Sequence, residues 1–184
     1  MTTVVAAAVA GTVYMAADSC TNVYERPVID GIRKLLRLPA GNDQVLLGVC
    51  GLGGLPGCIA ADLKLDAVPK PGEDADAWAH AVARAVTDIA VEAGLVDNGK
   101  MDGSVLLGWG GRLWSLSHST ACAHPDGRAA LGSGEGPAMG ALDVLLDDGV
   151  SPLTAVRRAA EMGCRRDRYS EPPIYVEVLS DGEP

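Results

Sequence analysis

The chain has 184 residues, of which 48% are hydrophobic, and a formal net charge of −9. That length suits a single domain over residues 1–184 with a sizeable core, and the acidic balance excludes a nucleic-acid groove, which needs clustered Lys and Arg. No apolar run reaches the roughly 18 residues of a membrane span, and Val4–Val9, with no basic leader and soon broken by Gly11, does not read as a signal peptide.

From the amino terminus, Thr3–Val9 and Thr12–Ala17 alternate, are rich in β-branched residues and flank Ala10-Gly11, which predicts a β-hairpin. Asp18–Arg26 is polar and reads as a loop. Ile32–Leu38 and Gln44–Cys50 predict two further strands, joined by a turn at Pro39-Ala40-Gly41-Asn42-Asp43. After the glycine-rich Gly51–Gly57, Cys58–Leu65 predicts a helix that stops at the proline-rich Val68–Gly72. Asp74 or Asp76 then caps a long amphipathic helix to about Ala93, closed by Gly94.

Ser104–Trp109 and Arg112–His118 form a second predicted hairpin around Gly110-Gly111, and Arg128–Leu131 a short strand leading into Gly132-Ser133-Gly134. Helices follow over Pro137–Leu146 and Pro152–Arg165, with Ser151 as the expected N-cap of the second. Ile174–Leu179 closes the chain as a strand, and Ser180–Pro184 reads as a disordered tail. The order is strands, two helices, strands, two helices, strand. It predicts an α+β fold of two antiparallel sheets between two helical layers. The apolar residues are mostly Ala, Val and Leu, with no Phe, which suits close helix–sheet contact.

The five cysteines, Cys20, Cys50, Cys58, Cys122 and Cys164, are odd in number and widely spaced. They fit neither a disulfide framework nor a CxxC metal site and point to a reducing cytoplasm. His80, His118 and His124 lack zinc-ligand spacing and read as structural. Arg157, Arg158, Arg165, Arg166 and Arg168 read as a solvated face.

The chemistry begins at Thr2. Initiator Met is commonly removed before a small residue, and an amino-terminal Thr then carries both parts of a nucleophilic pair. Its hydroxyl attacks, and its own amine, with a reference pKa near 8, takes the proton. A Thr at position 2 is by itself ordinary, so the rest of the chain decides. Lys34, flanked by Leu35 and Leu36 inside a predicted strand, is either a snorkelling edge residue or a partly buried charge that Asp18 would partner. Beside Thr2 such a cation would lower the pKa of the amine and stabilise developing negative charge. A competing reading takes Val45–Cys50, the Gly51–Gly57 turn and the helix after it as a dinucleotide-binding unit. No strand ending in an acidic residue follows, and no Walker A loop is present.

Thr2-Thr3-Val4-Val5, Ala16-Ala17-Asp18-Ser19 and Ile32-Arg33-Lys34 resemble, at matching spacing, the mature start, second-strand ending and catalytic-lysine strand of the proteasome β-subunit and bacterial HslV family. Leu131-Gly132-Ser133-Gly134 is similar to the family's Gly-Ser-Gly, and Arg166-Asp167-Arg168-Tyr169-Ser170 to its Arg-Asp-x-x-Ser. The resemblance implies a four-layer αββα sandwich, the amino-terminal-nucleophile hydrolase fold, and a threonine endopeptidase. In it Thr2 is nucleophile and base, Asp18 and Lys34 tune it, and Ser133, Asp167 and Ser170 orient the amine and relay protons. The backbone N–H of Gly51 would hold the oxyanion, Val49 would line the pocket before the cleaved bond, and Asn22 would stand where the family aligns substrate with a Thr.

The same resemblance implies polypeptide substrates, a homo-oligomeric assembly of two stacked rings, an ATP-dependent unfoldase partner and a cytoplasmic location. It implies no organic cofactor, and a structural cation on loop carbonyls near Asp167. The sequence departs from the family at Gly51–Gly57, which replaces an Ala-rich stretch, and at Glu171, which replaces a Gly. Two other readings keep the fold: an inactive or unprocessed ring subunit, and a small-molecule amidase.

Overall fold

The computed structural model describes residues 2–23 and 26–180, without the side chains of residues 22, 23 and 26. Met1 and residues 181–184 of the expected Ser180–Pro184 tail lie outside the described residues, and Ser180 itself ends the last strand. The chain opens with the expected hairpin, β1 (Val4–Val9) and β2 (Thr12–Asp18), turned through positive φ at Ala10 and Gly11. The stretch read as a loop instead contributes a second small hairpin, β3 (Cys20–Val23) with β4 (Arg26–Ile29). β5 (Leu35–Ala40) and β6 (Asp43–Gly51) follow, so Lys34 lies just ahead of β5 and not inside a strand. The Lys34 carbonyl still accepts the Val49 N–H at 2.8 Å, which carries the β5–β6 ladder one step further.

α1 (Leu55–Asp62) starts three residues earlier than expected, because Leu55 joins Ile59 in the core. α2 (Ala75–Glu92) is capped by Asp74, whose carboxylate accepts the N–H groups of Asp76 and Ala77. Asp76 is spent elsewhere, on Arg112 and the indole N–H of buried Trp114. Next come β7 (Val96–Asp97), β8 (Lys100–Met101), β9 (Gly103–Trp109), β10 (Arg112–Ser117), β11 (Thr120–Ala123) and β12 (Arg128–Leu131). β11 escaped the sequence reading because its turn places two non-glycine residues, His118 and Ser119, at positive φ.

α3 (Glu135–Asp147), α4 (Pro152–Arg166) and β13 (Ile174–Ser180) complete the chain. Ser151 does not cap α4 with its side chain; its hydroxyl donates to the Thr154 hydroxyl.

Two antiparallel sheets result, ordered β12-β1-β2-β13 and β11-β10-β9-β6-β5. Strand alternation then builds three apolar layers. Val4, Ala6 and Met15 face Leu46 and Leu106 between the sheets. Val5, Ala7 and Ala16 face Ala155, Val156 and Ala159 of α4, and Val45, Leu47 and Val49 pack with Ala79, Val82 and Val86 of α2. The order is helices, sheet, sheet, helices, as expected. Both neighbours of β6 are antiparallel, so the glycine-rich turn after it is not the parallel βαβ crossover of a dinucleotide-binding unit.

Gly48 sets how closely the sheets approach: a Cβ there would stand 2.5 Å from Val4 Cγ1 and 2.8 Å from Met15 Sδ. We expect Gly48→Val to lower the unfolding free energy by about 1–3 kcal/mol, as overpacked cores do. Urea unfolding measures it, and an unchanged midpoint would contradict this sheet spacing.

Candidate active site

The two strands of the first hairpin bring Thr3 beside Asp18, whose N–H donates to the Thr3 carbonyl at 3.2 Å. Asp18 is fully buried and its carboxylate is met from four directions. Oδ1 accepts the Thr3 N–H at 2.9 Å and the Lys34 ammonium at 2.7 Å. Oδ2 accepts the N–H groups of Cys20 at 3.0 Å and Glu171 at 3.3 Å. Lys34 is 5% exposed at its side chain and Asp18 0%, so the pair is a buried one. Of the two readings of Lys34, the snorkelling edge residue is therefore set aside.

A second cluster closes on Thr2 from the helical layer. The Thr2 N–H donates to Ser133 Oγ at 3.3 Å, and the Thr2 carbonyl accepts the N–H of Gly134, the residue before α3. Asp167, at the end of α4, accepts hydroxyl hydrogens from Ser133 at 2.5 Å and Ser170 at 2.6 Å. Only glycine fits at Gly132, whose φ is +97° and whose Cβ would lie 2.0 Å from the Thr2 carbonyl oxygen. Thr2, Asp18, Lys34, Ser133, Asp167 and Ser170, spread over 169 residues of sequence, thus form one continuous site.

Two clefts meet at Thr2. The smaller, about 40 Å³, is lined by Thr2, Lys34, Val49 and Gly51 together with Cys20 and Thr21 of β3. The larger, about 550 Å³, opens on the other side and includes Gly51, Asp102, Ser117, His118 and Ser133. Gly51 borders both, in a conformation (φ +131°) where a Cβ would strike the Asp102 carbonyl oxygen. The unusual Gly51–Gly57 stretch therefore leaves Gly51 beside Thr2 and runs straight into α1. Asn22 is in β3, paired with Pro27, next to cleft residue Thr21; its side chain lies outside the described residues.

His118, read as structural, is exposed at the rim of the larger cleft, its Nδ1 2.9 Å from Ser117 Oγ. His124 and His80 are held as structural groups, by Ser115 Oγ and the Asp76 carbonyl respectively. The five arginines at positions 157, 158, 165, 166 and 168 are exposed, as expected.

Cys20 and Cys50 each border a cleft at Thr2, yet burial pushes both thiols up, and Cys164 nearby to about 12. A thiol pushed up in this way has less thiolate at neutral pH, which makes these cysteines poorer nucleophiles. Asp167 Oδ1 also accepts the Tyr169 N–H at 3.3 Å, so both its oxygens are engaged by the protein. A cation there would have only backbone carbonyls, and among the described residues no three His, Cys, Asp or Glu side chains converge on a metal position. An ion of the expected kind would sit on those loop carbonyls, and no step below uses one.

The sequence reading missed Thr3, the N–H groups of Cys20 and Glu171, and the part of the larger cleft formed by Asp102, Ser117 and His118. Backbone donors have no side-chain signature. The cleft residues come from turns that approach one another only after the sheets pack.

The buried pair generates a stability test. Asp18→Asn would leave the Lys34 ammonium buried without its carboxylate, and we expect a loss of about 3–5 kcal/mol. The double variant Asp18→Asn/Lys34→Met should recover most of that loss in denaturant unfolding. Equal losses in the single and double variants would show that the ion pair is not the source.

No family model matches the sequence, and no curated protein matches it. Solved structures do. BPH from Thiobacillus denitrificans, in complex with epoxomicin, aligns at a TM-score of 0.78 and 18% identity, over 97% of this chain and 98% of that one. Eukaryotic HslV from Trypanosoma brucei aligns at 0.67 and 21%, over 97% and 99%. Anbu (ancestral beta-subunit) from Yersinia bercovieri aligns at 0.71 and 14%, over 97% and 82%. The chain therefore has the fold of HslV and Anbu, the four-layer sandwich that the sequence led us to expect.

Proposed function

We propose that this chain is the subunit of a threonine endopeptidase of the proteasome β/HslV type, active once Met1 has been removed. The observation that carries the reading is that Lys34, paired with Asp18, lines the small cleft at Thr2 while the Ser133–Asp167–Ser170 cluster meets Thr2 through Ser133. The freed Thr2 amine, oriented by Ser133, takes the hydroxyl proton as the Thr2 oxygen attacks a peptide carbonyl. Lys34 keeps the amine neutral at working pH and supports the developing charge, while the Gly51 N–H holds the oxyanion. The amine then passes its proton to the departing amino group, leaving an ester on Thr2. Water, deprotonated by the same amine, hydrolyses that ester and restores the free hydroxyl.

Val49 lines the recess for the residue preceding the bond, and Asn22, in the strand beside it, aligns substrate through its backbone. No organic cofactor enters this chemistry. The expected result is that intact mass places the amino terminus of active protein at Thr2, and that Thr2→Ala abolishes peptide hydrolysis. Lys34→Met should lower kcat by about 10²–10³-fold, the size of a lost electrostatic group. Peptide cleavage by material that retains Met1 would sink the mechanism, and an inert protein with a free Thr2 would favour the inactive-subunit reading.

The polypeptide-cleaving site is proposed to work inside a cytoplasmic homo-oligomer of two stacked rings, fed by an ATP-dependent unfoldase. Apolar surface left on the helical layer supports association: Val144 of α3 is 60% exposed and Leu153 of α4 44%. Among the described residues no helix is long and apolar enough to cross a membrane. Light scattering should give a particle of a dozen or so subunits, whereas a monomer at micromolar concentration would refute the ring.

A further inference from the structure

We infer that Thr3 is a positioning residue, the point at which the two halves of the site are fastened to the segment that carries Thr2 into β1. Its backbone holds one half: the N–H donates to Asp18 Oδ1, and the carbonyl accepts the Asp18 N–H. Its hydroxyl holds the other, donating to Ser170 Oγ at 2.9 Å. The direction of that bond follows from counting hydrogens. An ionised carboxylate only accepts, so Ser133 and Ser170 each spend their single hydrogen on Asp167. Ser170 can then only accept from Thr3, and Ser133 only from the Thr2 nitrogen.

This polarity matters for Thr2. A chain running from Thr2 through Ser133 to Asp167, and from Thr3 through Ser170 to the same carboxylate, makes the Thr2 nitrogen a donor toward Ser133. Its lone pair, once the amine is free, is left for the hydroxyl proton. Thr3 is fully buried, and there is no slack around it: a Cβ on Gly134 would stand 2.0 Å from its Oγ1, and one on Gly163 2.4 Å from its Cγ2. The threonine shape and the hydroxyl are therefore separable, which is what allows a test.

The inference rests on the peptidase reading, and the experiment separates the two. Protein released with Thr2 first from a cleavable amino-terminal fusion is compared as wild type, Thr3→Val and Thr3→Ser. Peptide hydrolysis is measured alongside the rate at which a small β-lactone acylates Thr2, followed by mass. Val keeps the packing and loses the hydroxyl; Ser does the reverse.

We expect Thr3→Val to lower kcat and the acylation rate at least about tenfold with KM unchanged, the scale of a misplaced reacting group, and Thr3→Ser to restore both. The opposite order, Val active and Ser impaired, would show that Thr3 merely packs and would overturn the proposal. If the wild type is acylated in the expected order but cleaves no peptide, the peptidase reading fails and Thr3 stands. If Thr3→Val does not fold, Thr3→Ala against Thr3→Ser isolates the same hydroxyl, and equal acylation rates for those two would overturn the proposal.

Discussion

The buried carboxylate of Asp18 is the constraint around which this site is arranged. A charge removed from water is expensive unless its acceptor positions are filled and a counter-ion is at hand. Here the filling comes from four places in the sequence: Thr3 just ahead of β1, Cys20 on β3, Lys34 ahead of β5 and Glu171 beyond α4. None of these can move far without leaving part of that charge unmet. The requirement therefore joins the first sheet, the small β3–β4 hairpin, the second sheet and the segment after the last helix at one position. That position is next to Thr2. The electrostatics that make the proposed nucleophile usable are also what hold its surroundings in register.

Asp167 plays the matching part on the helical side. It terminates α4 and accepts from Ser133 and Ser170, so the end of one helix and the start of the other are held to one carboxylate. Close approach makes this geometry available. Gly132, Gly134 and Gly163 have backbones pressed against Thr2 and Thr3, and α4 meets the first sheet through Ala155, Val156, Ala159 and Ala160. A chain without Phe and rich in Ala can bring helix and sheet backbones near enough for two serine hydroxyls and a threonine to share so small a volume.

A fold of this kind supports more than one chemistry, so the functional reading has to stand on the site. The relevant physical contrast is between hydroxyl and thiol. Two cysteines border the clefts at Thr2, but burial holds their protons on. The threonine hydroxyl has a nitrogen within its own residue, a buried ammonium lining the same small cleft, and a cleft of about 550 Å³ on its other side. That combination favours acyl transfer at Thr2 over thiol chemistry.

Much of this was legible in the amino-acid order. Alternation gave the β1–β2 and β9–β10 hairpins, proline, glycine and cap residues gave the helices, and a family resemblance carried by Thr2, Asp18 and Lys34 pointed to the candidate site, because each depends on neighbours a few residues away or on a motif of fixed length. Tertiary structure alone decided the rest. Whether Lys34 was a solvated edge residue or a buried ion depended on Asp18 reaching it across the sheets. β3 became a strand despite its polar sequence and β11 despite a glycine-free turn, because partners and packing outweighed weak local propensity. The role inferred for Thr3, the donors from Cys20 and Glu171, and the two clefts have no local signal at all. They arise from backbone groups and turns that meet only when sheet packs on sheet and helix on sheet, and no periodicity in the sequence encodes that distance.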